Sequence, residues 1–239
     1  MLEKIPLRQI LFLDLETVPQ MWNWAELSER TKILWEKKTQ NQRKEDISPE
    51  EFYYERAGIL AEFGKIVCLS CGLVIDDQKI RIKSFYGDDE KQILQDFCGL
   101  LQSSYFKSDL LLCAHNGKEF DFPFLARRMV INQIKLPRTL QMYGKKPWEI
   151  PHLDTLELWK FGDYKHYTSL DLLAYLFQLP TPKEDMDGSE VAQTYYEEKN
   201  LEKIRKYCEK DVVTLINIFR KMRYEEPLER DDNLRLLSD

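Results

Sequence analysis

The sequence has no apolar run that approaches the roughly 20 residues of a membrane-spanning helix. Its first residues also lack the long apolar core of a signal peptide. No Gly/Ser-rich or Pro-rich linker, internal repeat or low-complexity tract divides the 239 residues. These absences exclude spanning and repeat architectures, and they predict one cytoplasmic domain over residues 1–239 without a membrane partner.

Cysteine and histidine patterns typical of metal sites are also scarce. Cys68 and Cys71 form a C-x-x-C pattern, but a second such pair, which a zinc site would need, does not occur. Residues three apart on a strand face opposite ways, so we interpret these two cysteines as buried thiols. The three histidines have no ligand spacing, and we expect His115 to brace a turn; the others are His152 and His166.

Basic residues are not in excess, since 35 Lys and Arg face 41 Asp and Glu for a net charge of −6. Non-specific nucleic-acid binders are usually basic, so the total charge argues mildly against that class. The distribution of charge is more informative, because the stretch 122–148 contains no acid. Its basic residues are Arg127, Arg128, Lys135, Arg138, Lys145 and Lys146. Two interpretations stay open: a phosphate backbone lies along this stretch, or it is a solvated helix face and loop.

An acidic pair follows the first apolar segment. Residues 10–15 are apolar on both faces until Asp14, which is typical of a central strand covered on two sides. Glu16 is two residues on, so both acids share the face of Ile10 and Phe12. Like charges at the end of a buried strand repel, and oxygen ligands suit Mg²⁺ or Mn²⁺. The alternative is that the strand has ended and both acids reach solvent.

A second acid stands at a predicted strand-to-helix junction. A strand over 109–114 is followed by a turn containing Gly117, and Pro123 suits the first turn of a helix. Asp121 therefore lies at a helix start near a strand end, where ligands collect in α/β sheets. The alternative is that Asp121 only caps the helix.

A third acid lies on the apolar side of the last predicted helix, from Leu201 to about Arg223. Asp211 falls on the apolar seam, where an ionised carboxylate is costly unless a cation meets it. Tyr207 lies four residues earlier, on the same side of the helix. The pair indicates an inward-facing site; the alternative is an Asp211 that reaches solvent at the edge of the seam. The seam comprises Leu201, Ile204, Cys208, Leu215, Ile218 and Met222.

Together these segments resemble the three exonuclease motifs of the DEDD superfamily. With Tyr rather than His at position 207, the third motif resembles that of the tyrosine branch of this superfamily. The sequence around Asp121 most resembles that of the proofreading exonuclease domain of family B DNA polymerases. The whole chain, from about Gln9 to Phe219, resembles a stand-alone bacterial family of predicted 3′-5′ exonucleases related to that domain. The matching patterns are Asp14-Leu15-Glu16, Asn116-x-x-x-Phe120-Asp121-x-Pro123 and Tyr207-x-x-x-Asp211.

The resemblance implies a metal-dependent 3′-5′ exonuclease that releases nucleoside 5′-monophosphates. It implies two divalent ions, Mg²⁺ or Mn²⁺, with Asp14 bridging both. Glu16 and Asp211 would complete one ion site and Asp121 would help hold the other, while Tyr207 would hold the attacking water. The expected nucleic-acid contacts are Asn116, Phe120, Arg127, Arg128, Lys145 and Lys146.

The coarse pattern predicts an α/β fold, in which residues 20–62 form a helical insertion after the first strand. Aromatic residues of that insertion either stack on single-stranded bases or anchor the insertion. A hairpin, a further strand and then helices follow, and the tail after about Glu225 is expected to be loose. The resemblance implies a ribonuclease H-like mixed sheet flanked by helices, with the first strand central.

Two other functions stay open. One is a nucleic-acid-binding or scaffold protein of the same fold that has lost the chemistry. The other is an RNA-trimming exonuclease similar to ribonuclease D. The complete set of acids favours an active enzyme. The polymerase-like sequence around Asp121 favours a single-stranded DNA 3′ end over RNA as the substrate.

Overall fold

A computed structural model describes residues 2–75, 79–103, 110–163, 167–181 and 186–230. Several sequence expectations lie outside these ranges. They are the hairpin turn at 76–78, the strand start at Asp109, His166, Pro182 and the tail beyond residue 230.

The core of the fold is a five-stranded sheet in the order β3-β2-β1-β4-β5. The first strand is central, as predicted, and the sheet is mixed: β1, β4 and β5 run parallel, whereas β2 is antiparallel to β1 and β3. The sequence pattern does not predict β5, because a two-residue strand has no periodicity to detect. The strands are β1 Ile10–Pro19, β2 Gly64–Ile75, β3 Lys79–Tyr86, β4 Leu111–Ala114 and β5 Leu153–Asp154.

Helices cover both faces of this sheet. The sequence predicts an N-cap at Asp88 or Asp89 for one of them and at Thr168 or Ser169 for another. The caps are Asp89 and Ser169, which accept hydrogen bonds from the backbone at Gln92 and Leu172. Within the described ranges, no helix combines the length and the apolarity needed to cross a bilayer. The helices are α1 Glu29–Thr39, α2 Pro49–Arg56, α3 Glu90–Gln102, α4 Asp121–Ile131, α5 Thr155–Lys160, α6 Leu170–Leu176, α7 Val191–Tyr196 and α8 Leu201–Met222.

β1 is apolar on both faces because both are buried. Leu11 and Leu13 belong to the core that packs under α3 and α4. Ile10 and Phe12 belong to the opposite core, under α8, where the ring of Phe12 meets that of Phe219 at 5.4 Å. Alternation along the strand therefore directs Asp14 and Glu16 toward α8.

β1 is longer than its apolar pattern predicts. The sequence indicates a strand that ends at Leu15, whereas the ladder with β2 continues to Pro19, which pairs with Gly64. The reason is tertiary, since the long antiparallel partner supplies backbone hydrogen bonds beyond the apolar run. Asp14 and Glu16 consequently lie inside a paired strand, not at its end.

Aromatic residues hold the insertion between β1 and β2 in place. Trp35 is fully buried between Phe52 and Tyr53, and its indole N–H donates to the carbonyl oxygen of Pro49 at 2.8 Å. These three side chains therefore anchor the insertion. Base stacking by them, one of the two sequence interpretations, is wrong because their faces are covered.

α6 buries a narrower face than its leucine spacing predicts. We expect Leu170, Leu172, Leu173, Leu176 and Phe177 to face inward, yet Leu172 and Leu176 are 46% and 50% exposed. Leu173 and Ala174 pack against Ile218 of α8 instead. A short helix crossing one partner covers only one stripe, so Leu172 and Leu176 stay exposed while Leu170 and Phe177 are partly buried at its edge.

The beginning of the tail is bound to the fold. Asn217 exchanges two hydrogen bonds with the backbone of Leu228, and Arg230 forms an ion pair of 2.6 Å with Glu209. The expected loose tail after about Glu225 is therefore wrong for residues 225–230.

Arg128 is a structural residue and not a substrate contact. Its guanidinium is 5% exposed and makes a bidentate ion pair with Glu90, at 2.8 and 2.6 Å, and a hydrogen bond with the carbonyl of Ala61. Glu90 also accepts from the backbone N–H of Ile66. The pair thus ties α4 to α3, β2 and the insertion, which corrects the sequence assignment of Arg128 to the substrate.

We predict that Arg128→Ala lowers the free energy of unfolding by about 3–5 kcal/mol, because it leaves the buried Glu90 carboxylate without its partner. The matched control is Arg127→Ala, whose exposed side chain should change stability by no more than about 0.5 kcal/mol. Urea denaturation followed by tryptophan fluorescence measures both. Equal midpoints for the two variants would contradict a structural role for Arg128.

Candidate active site

The site begins with two acids and a thiol at the contact between β1 and α8. A carboxylate oxygen from each of Asp14 and Glu16 and the sulfur of Cys208 lie within 4.8 Å of one another. The Cys208 thiol donates to the backbone oxygen and to Oδ2 of Asp14, both at 3.4 Å. Glu16 is 6% exposed and Cys208 is fully buried. The thiol is a neighbour of the acids that the sequence analysis treats only as part of an apolar seam.

A glycine lets α8 lie close enough to the sheet to build this contact. Gly72 of β2 pairs with Phe12, two residues before Asp14. A Cβ atom on Gly72 would lie 2.8 Å from Val212 and 2.9 Å from Ile216, both on α8. Any larger residue would push the helix away from the strand that carries the acids.

Tyr207 and Asp211 enter the same cleft from α8. Both are buried, and they lie close enough for the charge of Asp211 to affect the phenol. Burial and the charges of Asp211, Glu16 and Asp14 raise the pKa of Tyr207 above its usual range. The phenol therefore stays protonated at any physiological pH.

Asp121 is delivered by the turn between β4 and α4. Asn116 has a φ of 62°, a left-handed conformation that asparagine tolerates. A Cβ on Gly117 would lie 2.5 Å from that of Ala114, so only glycine fits there. Phe120 occupies the cap position and Asp121 is the first helical residue, 3% exposed. Capping, the alternative interpretation of Asp121, is therefore wrong.

Asp154 holds that turn in place. Its Oδ1 accepts from the backbone N–H of Asn116 at 3.0 Å, and its Oδ2 accepts from that of Lys118 at 3.0 Å. His115 adds hydrogen bonds to Thr155 and to the carbonyl of Thr168, which agrees with its expected bracing role. The sequence position of Asp154 near a helix start favours a plain cap over a role in shaping the cleft, whereas the structure combines capping of α5 with support of the turn.

Asp121, at the start of α4, lies close enough to Asp14 on β1 for the two carboxyl groups to interact electrostatically. The backbone N–H of Leu15 lies near the carboxyl groups of both Asp14 and Asp121, which places Asp121 against β1. Burial and the charge of Asp121 raise the pKa of Asp14 to about 8. Burial is also the main cause that raises the pKa of Asp121 to about 8. Burial and the charges of Asp14 and Asp211 raise the pKa of Glu16 well above its usual value.

This donor set fits divalent cations. Four carboxylates from three separate segments converge, and hard oxygen ligands suit Mg²⁺ and Mn²⁺. The raised pKa values of Asp14, Glu16 and Asp121 indicate that the cleft without ions tolerates negative charge poorly. Cations would meet the same charges that protons otherwise neutralise.

The remaining predicted substrate contacts lie beside the turn that carries Asp121. Arg127 and Lys145 line a groove of about 800 Å³ together with Tyr143, which is 74% exposed. The Lys146 ammonium lies 5.2 Å from the ring centroid of exposed Trp148. Phe120 packs against Phe124 at 5.4 Å, and Asn116 shapes the turn.

A second basic surface, absent from the sequence prediction, lies directly beside Tyr207. Lys203, Lys206 and Lys210 follow one side of α8 and, with Tyr207 and Glu202, line a pocket of about 400 Å³, in which Lys203 is ion-paired with Glu198. Their spacing of three and four residues around Tyr207 is the sequence signal that could have identified them. The site thus has basic residues on both of its sides.

Comparisons with known proteins agree with this geometry. A family model described as "Predicted 3'-5' exonuclease related to the exonuclease domain of PolB" matches residues 59–235, well over half of the chain. That range contains Asp121, Tyr207 and Asp211, whereas Asp14 and Glu16 precede it. A comparison with curated proteins finds no match.

Among solved structures, the family B DNA polymerase from the hyperthermophilic archaeon Pyrobaculum calidifontis is similar, with a TM-score of 0.55 and 14% identity. The match covers 90% of this chain and 24% of the polymerase chain, so the chain spans about a quarter of that protein's length. At this identity the likeness shows the fold alone. It confirms the predicted α/β, ribonuclease H-like fold class.

We predict that the metal-free protein loses stability as pH rises from about 4 to about 8. Asp14 and Asp121, with pKa values of about 8 when folded, hold protons that the unfolded chain releases above about pH 4. Their stabilisation is therefore complete below about pH 4 and is lost as pH passes about 8. Thermal unfolding in chelator, compared between the parent and Asp14→Asn, isolates this contribution.

In that comparison the midpoint of the parent should fall with pH more steeply than that of Asp14→Asn. Saturating Mn²⁺ should restore the parent at about pH 8, because a ligand that binds only the folded state stabilises it. Identical pH profiles for the parent and the variant would show that Asp14 is not strained by burial.

Proposed function

Because the chain belongs to the family of predicted 3′-5′ exonucleases related to the exonuclease domain of PolB, we propose that it is an active exonuclease. It removes nucleoside 5′-monophosphates from the 3′ end of a nucleic acid. The observation that carries the proposal is the pair of Asp14 and Glu16, which offer carboxylate oxygens within 4.8 Å of each other, with Asp121 and Asp211 close enough for their charges to raise the pKa of Glu16. A binding module gains nothing from clustered acids that repel one another.

Each acid has a role in holding two divalent ions, Mg²⁺ or Mn²⁺. Asp14 would contact both ions, Glu16 and Asp211 would complete one site, and Asp121 would serve the other, directly or through water. When bound, such a pair supplies a nucleophilic water at neutral pH and neutralises charge on the leaving oxygen.

Tyr207 orients the attacking water. Its hydroxyl stays protonated because burial and three carboxylates raise its pKa, so it acts as a hydrogen-bonding group and not as a base. Tyr207 lies near Asp211, one of the acids proposed to hold the ions, because the charge of that acid contributes to the raised pKa of the phenol. The backbone at Gly188 lies next to the Tyr207 hydroxyl, since a Cβ there would be 3.9 Å from its oxygen.

The substrate strand lies between the two basic surfaces. Lys206 contacts phosphate beside Tyr207, and Arg127 and Lys145 contact phosphate on the side of Asp121. The likeness of the Asp121 motif to that of family B polymerases supports single-stranded DNA as the preferred substrate, with RNA as the second candidate.

The central experiment uses 3′- and 5′-labelled single-stranded DNA, duplex DNA and RNA, each with Mg²⁺, Mn²⁺ or chelator. We expect metal-dependent release of mononucleotides from the 3′ end, fastest on single-stranded DNA. Faster release from RNA would assign the protein to RNA trimming. Absence of products in every combination would favour the inactive scaffold.

We predict that Asp14→Asn and Asp211→Asn each lower the hydrolysis rate by at least about 1000-fold while leaving the fold intact, since removing one member of such a unit disables the whole. Tyr207→Phe should be milder, about 10–100-fold, because it removes a hydrogen bond and not a ligand. Asp96→Asn, an exposed acid on α3, is the matched control and should keep the parent rate. Parent-like digestion by Asp14→Asn would refute the site.

We also predict that Lys206→Gln and Lys145→Gln each reduce the salt dependence of DNA binding by about one unit of the log–log slope, the effect of losing one phosphate contact. Fluorescence anisotropy measures the slope in an Asp14→Asn background, which prevents digestion. Lys91→Gln, on the distant α3, is the control. An unchanged slope for Lys145→Gln would mean that its surface is a solvated face.

A further inference from the structure

The thiol of Cys208 lies among the proposed ligands for hard cations, although sulfur is a poor ligand for Mg²⁺. Its sulfur belongs to the same tight group as the carboxylate oxygens of Asp14 and Glu16. Other buried thiols of the chain have ordinary partners, since Cys71 and Cys98 donate to the backbone carbonyls of Lys83 and Lys135. Cys208 differs because it donates to a carboxylate of the site.

The separation of one pair of these atoms is compatible with a bound thiophilic ion. Zn²⁺ binds thiolate sulfur at about 2.3 Å and carboxylate oxygen at about 2.0–2.2 Å in tetrahedral geometry. Those bond lengths require a sulfur-to-oxygen separation of about 3.5 Å. The observed distance between Cys208 Sγ and Asp14 Oδ2 is 3.4 Å. A single ion would therefore fit with little movement of either residue.

A second thiol reinforces the sulfur character of this corner. Cys68 on β2 pairs with Glu16 across the ladder, and its thiol lies close enough to Cys208 to contribute to the raised pKa of that thiol. Both thiols are fully buried and free. Two carboxylates and two thiols from β1, β2 and α8 thus face one another.

We propose that the cleft binds one thiophilic divalent cation, with Zn²⁺ as the physiological ion, through Asp14, Glu16 and the thiolate of Cys208. Binding releases the thiol proton to solvent. The ion occupies two of the acids that hydrolysis needs, so it excludes the hard cations and inhibits the enzyme. The binding part of the proposal stands on its own, whereas the inhibition depends on the proposed exonuclease function.

The first test is a titration of the full chain with Cd²⁺, a spectroscopic substitute for Zn²⁺, followed by the ultraviolet absorption of metal–thiolate bonds. We expect saturation at one ion per chain. Cys208→Ser should lose the absorption band and weaken Cd²⁺ binding by about 100-fold or more. Loss of a direct ligand should cost at least as much as the roughly 10–100-fold loss caused by removing an outer-shell partner. Cys98→Ser, a buried thiol on the other face of the sheet, is the matched control and should bind like the parent.

A measurement without any variant guards against misfolding of Cys208→Ser. X-ray absorption of the Zn²⁺-loaded parent should show sulfur at about 2.3 Å beside the oxygen ligands. A coordination shell of oxygen and nitrogen alone would overturn the proposal, as would an undiminished band in Cys208→Ser that folds normally.

The test is separate from that of hydrolysis. If the chain binds Cd²⁺ through Cys208 but digests no substrate, the proposed function fails and the metal site stands. If it digests DNA with Mn²⁺ but shows no thiolate band, the function stands and this proposal fails. When both hold, Zn²⁺ should suppress Mn²⁺-dependent hydrolysis, and excess Mn²⁺ should raise the Zn²⁺ concentration that is required.

Discussion

The structure depends on the cost of burying like charges at the contact between β1 and α8. Both elements are otherwise apolar where they meet, and Phe12 packs on Phe219 only a short way along the same face. Asp14 and Glu16 continue that face, and their pKa values rise because burial disfavours the charged carboxylates and because neighbouring carboxylates repel them. Where permanent charges do compensate, as between Arg128 and Glu90, the same fold buries an ion pair for purely structural use.

The surroundings of the cleft serve this arrangement. Gly72 permits close approach of α8, Gly117 and Asn116 shape the turn before Asp121, and Asp154 holds the backbone of that turn. None of these residues is proposed to touch the reacting atoms. They fix the positions of acids that would separate if the backbone were free to relax.

The basic residues show how tertiary structure sorts a sequence pattern. Arg127 and Arg128 are neighbours in an acid-free stretch and are indistinguishable by composition. One turns outward into a groove, whereas the other turns inward to Glu90. The lysines beside Tyr207 show the reverse case. They alternate with acids along the chain, yet the helical repeat places them along the same pocket.

The sequence by itself determined the α/β class, the central first strand and the inward acids, because periodicity and an ionisable residue on an apolar seam are local signals. It could not determine the length of β1, the exposed leucines of α6 or the burial of Arg128, since a distant partner decides each of them. The meeting of Cys208 and Cys68 with Asp14 and Glu16 also required the fold. The sulfur atoms come from β2 and α8, and only the stacking of that helix on the sheet brings them to the acids.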